Sequence, residues 1–144
     1  MVECVMEHMI DQPLDSGSES SDASEEALQR VLVIRSEIED LEVGKLRAVV
    51  EWIVVNEVDP STHKTDHMCN RAVRTAGDGS PFVTEFDLME FSAVLGMTSD
   101  SGGSYICRVA ELRYRLPLLW NQVEAGKIPA WRALQVADET YTLP

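Results

Sequence analysis

The sequence has no apolar stretch long enough to cross a bilayer. Its longest nearly apolar run, Val49 to Val55, is interrupted by Glu51, whereas a membrane span needs roughly 20 such residues. The opening residues, MVECVMEHMIDQ, contain no Lys or Arg. A secretory signal starts with positive charge and a transit peptide avoids acidic residues, so neither is expected. No membrane partner and a cytoplasmic location follow as expectations. Cysteine is scarce. Cys4, Cys69 and Cys107 are odd in number, widely spaced and form no Cys-x-x-Cys pair, which predicts free thiols in a reducing compartment. Cys107 reads as a small core residue.

The sequence also lacks the motifs of common catalytic centres. Gly77-Asp78-Gly79 and Gly102-Gly103 are not followed by the Lys-Ser/Thr of a phosphate loop. There is no Gly-x-Ser-x-Gly elbow and no helix-borne Cys–His pair. No histidine follows His67. Glu37, Glu39 and Asp40 lie on a charged helix flank and read as solvated surface. Trp52, Trp120 and Trp131 read as core anchors, since a base-stacking platform interleaves aromatics with basic groups. No enzyme activity, cofactor or small-molecule substrate is expected.

What is present has the profile of one globular domain: 144 residues, 44% hydrophobic and 26% charged. The net charge of −13 is unevenly placed. Of the 25 acidic residues, eight (Glu3, Glu7, Asp11, Asp15, Glu19, Asp22, Glu25, Glu26) lie before position 27, where there is no Lys or Arg. The other 17 face all 12 basic residues. Residues 11–24, DQPLDSGSESSDAS, carry too little apolar surface to offset the entropy of ordering. Residues 1–23 are therefore expected to be an acidic disordered tail, and residues 24–144 the folded part.

Ser24 is a suitable N-cap, with Glu25 and Glu26 in the favourable first turn. Ala27, Val31, Ile34, Ile38, Leu41, Lys45, Ala48, Trp52 and Val55 then recur at alternating spacings of 4 and 3. This predicts one face of a long helix, with Lys45 as its single polar member. Two uses of that face stay open. It packs as a scaffold on the rest of the domain, or it forms a coiled-coil seam for a homodimer through residues 27–55. Asp59-Pro60 ends the helix, and residues 57–83 read mostly as loop. His63, Asp66, His67 and Cys69 cluster there, but Pro60 and the polar composition favour a solvated loop over a metal site.

Shorter helices follow. Thr84 caps a helix over Glu85–Leu95, Asp87 completes a capping box, and Gly96 supplies the left-handed stop. Residues 97–103 read as a turn before a helix from Ser104 to Leu116 that buries Ile106, Val109, Leu112 and Leu116. Arg108, Glu111 and Arg115 fall outside that stripe. Pro117 and Pro129 open two more helices, the first ended by Gly126. The expected fold is all-α: a long N-terminal helix followed by a helix-turn-helix-like bundle of short helices. If the second helix of that unit enters a major groove, Arg108, Arg113 and Arg115 are the candidates for guanine edges or phosphates, with Tyr105 as a backbone contact. A purely structural helical hairpin is the competing reading.

Leu95-Gly96-Met97-Thr98, Leu116-Pro117, Gly126-Lys127-Ile128 and Ala133-Leu134-Gln135-Val136-Ala137 together resemble the family called domain of unknown function 222, or the 13E12 repeat family. The resemblance spans residues 24–144 and is specific from Phe86 to Thr140. It implies a helical region of the kind that precedes an HNH endonuclease domain, associated with DNA. The nuclease histidines are missing here, and the family pattern continues beyond Thr142-Leu143-Pro144, so a partial domain is expected. Three functions are open: a non-catalytic, DNA-associated helical module; a remnant of an HNH endonuclease; or a homodimerising interaction protein whose acidic tail meets a basic partner.

Overall fold

The computed structural model describes residues 16–64, 70–141 and 143, with side chains from residue 21 onward. Among them are five helices and one two-stranded sheet: α1 (Ser16–Val55), β1 (Ala72–Arg74), β2 (Phe82–Thr84), α2 (Glu85–Val94), α3 (Ser99–Ala110), a π-helical turn (Glu111–Arg115), α4 (Pro117–Glu124) and α5 (Ala130–Thr140). The chain divides into two units, one ending at Ser36 and the other starting at Glu37.

The first unit is helical from Ser16 onward. The stretch from Ser16 to residue 23, read from composition as disordered tail, is thus the first part of α1. Negative charge is favoured near a helix N-terminus by the helix dipole. Extending an existing helix also avoids a second nucleation cost. Every residue from 21 to 36 is exposed, and Glu26 and Arg30 form an i,i+4 ion pair at 3.9 Å. The remaining tail residues, 1–15, lie outside the described residues.

In the second unit, α1 buries Leu46, Val49 and Ile53, with Val43, Val50 and Trp52 half-covered beside them. This is only in part the face that the alternating 4 and 3 spacing picks out: Trp52 belongs to it and packs on Phe91, with ring centroids 4.8 Å apart. Lys45 and Ala48 are exposed, and Val55 is 82% exposed. Both faces are apolar over this stretch, so spacing alone did not choose between them. The polar Lys45 marked the part of the expected face that stays outside.

The segment read as loop contains a small antiparallel hairpin in which Val73 pairs with Val83, and the Val58 amide donates to the Phe82 carbonyl at 2.8 Å. Its strands are three residues long, too short for a period of two to register. Gly79, at φ +86°, turns the loop between them. The hairpin delivers the chain to Thr84, which caps α2. The Asp87 amide donates to Thr84 Oγ1 at 3.2 Å and the Thr84 amide donates to Asp87 Oδ2 at 3.1 Å, the expected capping box. Gly96 ends the α2 segment at φ +65°.

Helix α3 begins at Ser99, earlier than the expected Ser104, because Thr98 Oγ1 accepts from the Ser101 amide at 3.2 Å. Gly102 and Gly103 are therefore helical and not part of a turn. Further on, the ladder widens to a π-helical turn, with the Leu116 amide donating to the Glu111 carbonyl at 3.2 Å. Pro117 forces Leu116 out of helical geometry and starts α4 afresh. Gly126, at φ +69°, ends that segment. The buried alanines Ala130, Ala133 and Ala137 let α5 pack closely. Ile106, Val109, Leu112, Trp120 and Val123 complete the core. Trp131, expected inside, is 55% exposed. It sits at the start of α5, between Ala130 and Ala133, and those small residues take the inward face.

Candidate functional site

Two features of the sequence pointed to function, the helix-turn-helix and the apolar face of the long helix. The join between α2 and α3 is Leu95-Gly96-Met97-Thr98, four residues, and thus shorter than the sequence suggested. The helices cross closely there. A Cβ on Gly102 would lie 1.9 Å from Ser92 Oγ and 3.0 Å from Ser92 Cα, so only glycine fits.

The four residues expected to read nucleic acid have different surroundings. Tyr105 is buried. Its ring stacks on Phe91 with centroids 6.4 Å apart, Lys45 Nζ lies 5.8 Å from the ring centroid, and its hydroxyl has no hydrogen-bond partner. Burial holds its hydroxyl pKa above the ordinary tyrosine value, while nearby Lys45 pulls it down. This corrects the assignment of Tyr105 as a backbone contact. Its spacing with Val109 and Leu112, at i, i+4 and i+7, was the available signal.

Arg115 Nη1 donates to both carboxylate oxygens of Glu111, and Nη2 donates to the Leu143 carbonyl at 3.0 Å. Glu111, expected off the buried stripe, is 1% exposed. Arg115 is thus occupied in holding the fold together, and the i,i+4 spacing of the pair hinted at it. Arg108 is half-buried, donates weakly to the Ser104 carbonyl at 3.4 Å, and lines a cleft of about 370 Å³ shared with Arg74, Cys107, Asp138 and Tyr141. Arg113 is exposed, with its guanidinium 5.7 Å from the Trp120 ring centroid and 5.9 Å from that of Tyr114.

The rest of the exposed start of α3 is Ser99, Asp100, Ser101 and Ser104, with no cation. From Glu37 onward the sequence has 17 acidic and 10 basic residues. A phosphate-binding surface needs concentrated positive charge, and α3 supplies little of it.

The apolar side chains of α1 are the larger anomaly. Leu28, Val31, Leu32, Val33 and Ile34 are each more than half exposed, and in the second unit so are Ile38 and Leu41. Soluble proteins seldom leave so many contiguous large apolar groups uncovered. Within the second unit a further apolar groove of about 410 Å³ is lined by Ala48, Trp52, Phe91, Val94 and Leu95. Lys45 also lines it, and the 2.9 Å hydrogen-bonded ion pair with Glu42 holds the Lys45 pKa above its usual value.

Among the described residues no group of three or more His, Cys, Asp or Glu side chains could hold a metal ion. His63 Nε2 lies 2.9 Å from the Asn70 carbonyl oxygen. Asp66, His67 and Cys69 lie outside the described residues. No helix among the described residues is long and apolar enough to cross a membrane. No family model matches the chain, and neither does any curated protein or solved structure.

Proposed function

We propose that this chain is a non-catalytic helical association module that works by docking the apolar face of α1 against another α-helix. The observation that carries the reading is the exposure of Leu28, Val31, Ile34, Ile38 and Leu41 on one long helix. An isolated helix in water gains little from propensity alone and is held mainly by packing of its apolar face. The test is crosslinking of the tagged chain in the cells it comes from. The wild type is expected in a crosslinked species larger than the monomer, and a Val31→Glu, Ile38→Glu variant as the monomer. A wild type that runs as a monomer, or a variant that crosslinks equally well, sinks the reading.

The second reading, a DNA-associated module of the domain-of-unknown-function-222 kind, is favoured by one observation. Arg113 is exposed and held over two aromatic rings, a preorganised cation of the sort phosphate contacts use. Its test is an anisotropy titration on duplex DNA across a salt series. Affinity that falls steeply with salt and weakens in Arg113→Ala supports it. Folded protein that fails to bind at low salt removes it.

A further inference from the structure

We infer that the helix which covers the α1 face is α1 of a second copy of this chain, running antiparallel, in a register fixed by Arg30 and Glu37. The inference rests on the association reading above and adds the partner and its direction. Ser24, Ala27, Val31, Ile34, Ile38 and Leu41 form the seam, alternating at spacings of 3 and 4, and all six are exposed. In such a seam the flanking positions decide partner and direction. On one flank these are Arg30 and Glu37, and on the other Leu28, Arg35 and Glu42.

A parallel, in-register pair brings the two flanks together across the seam. Arg30 then lies beside Arg35 of the second copy, and Glu37 beside Glu42. Both contacts are like-charged, and each occurs twice by symmetry. Reversing one helix instead brings each flank beside itself. Setting Val31 opposite Ile34 of the second copy puts Ala27 opposite Ile38 and Ser24 opposite Leu41. Arg30 then lies beside Glu37 of the second copy, again twice, and Leu28 packs along the aliphatic stem of Arg35.

Neighbouring antiparallel registers are worse. Pairing Ile34 with Ile38 sets Arg35 beside Arg35 and Glu37 beside Glu37. Pairing Ile38 with Leu41 sets Arg35 beside Glu42 of the second copy, but it draws the charged Lys45 into the seam opposite Ile34. One register therefore combines an apolar seam with opposite charges on the flank. Leu32 and Val33 lie outside this seam and stay exposed in the dimer.

The overlap runs from Ser24 to Leu41, about 27 Å of helix at 1.5 Å per residue. That is short of a standard interface, so a dissociation constant on the order of micromolar is expected. Sedimentation equilibrium of the full purified chain tests the inference with four proteins: wild type, Arg30→Glu, Glu37→Arg and the double reversal. Wild type is expected as a monomer–dimer equilibrium. Each single reversal is expected to weaken it about tenfold, and the double reversal to restore it. Single reversals that tighten the dimer indicate the parallel arrangement and overturn the inference. So does an oligomer indifferent to all three variants. A purified wild type that is monomeric at 100 times the expected constant, with helical circular dichroism intact, overturns it too. In that last case crosslinking in cells that still depends on Val31 and Ile38 would leave the association reading standing with a different partner.

Discussion

Arg115 Nη1 lies 3.0 Å and 3.2 Å from the two carboxylate oxygens of Glu111, a side chain only 1% exposed. The pair sits in the π-helical turn between α3 and α4, and the Arg115 side chain also lies against Gly77, where a Cβ would come within 2.3 Å of Nη1. One guanidinium thus ties the turn to the hairpin loop and to the Leu143 carbonyl.

Removing that guanidinium leaves a buried carboxylate without its counter-charge. Arg115→Ala is expected to cost about 3–5 kcal/mol, the usual penalty for breaking one side of a buried pair. A double Glu111→Leu, Arg115→Met variant is expected to lose less than the single Arg115→Ala, because the stranded charge goes as well. Urea unfolding of the three proteins checks the order. A single variant less damaging than the double would refute the pairing as a structural device.

Gly102 and Gly103 are neighbours in α3 with opposite expectations. A methyl on Gly102 meets Ser92 Oγ at 1.9 Å, whereas one on Gly103 meets nothing within 4 Å. Gly102→Ala should therefore overpack the α2–α3 crossing and cost roughly 1–3 kcal/mol. Gly103→Ala should stabilise the helix by up to about 1 kcal/mol through propensity alone. Thermal unfolding of both variants decides it, and equal effects of the same sign would contradict the crossing geometry.

These glycines also mark the limit of what the sequence disclosed. Signals acting within a few residues were legible: the Thr84–Asp87 capping box, the left-handed Gly96 and Gly126, and Pro117 opening α4. Each depends on local backbone chemistry. Features set by a distant neighbour were not. Gly102-Gly103 looked like a turn because Ser92, its packing partner, lies on another helix. Arg115 looked free because the partners that hold it include Gly77 and Leu143. The inward face of α1 depended on which of two apolar sides the short helices covered. For the candidate site, the exposed seam was legible as spacing. That it stays uncovered from residue 21 to Leu41 required the tertiary structure.

Cys107 gives a chemical probe of the same core. Burial is the largest influence raising its thiol pKa, with the Glu111 carboxylate next, and a hydrogen bond with Tyr141 acts the other way. The thiolate is the nucleophile that attacks a thiol reagent. In a Cys4→Ser, Cys69→Ser background, Cys107 should therefore react at least about tenfold more slowly in the native chain than in urea at pH 8. Ellman's reagent measures this directly. Equal rates in both states would mean the thiol is neither shielded nor shifted.

Tyr105 links stability to pH. Its hydroxyl is buried without a hydrogen-bond partner, and burial raises its pKa in the folded state. The native state therefore holds the phenolic proton at a pH where the unfolded state releases it, near the ordinary tyrosine value of about 10. Above that pH the unfolded state binds fewer protons, so stability falls as pH rises until the raised folded value is reached. Below it, the contribution is fully present. Tyr105→Phe removes the titrating group and also the unsatisfied hydroxyl. It should be neutral or stabilising by up to about 1 kcal/mol at pH 7, and its stability should decline less than the wild type's between pH 9 and pH 11. Urea midpoints at pH 7, 9 and 11 for the two proteins test both halves. A Tyr105→Phe chain that loses several kcal/mol at pH 7 would mean that the hydroxyl has a partner, and the alkaline argument would fall with it.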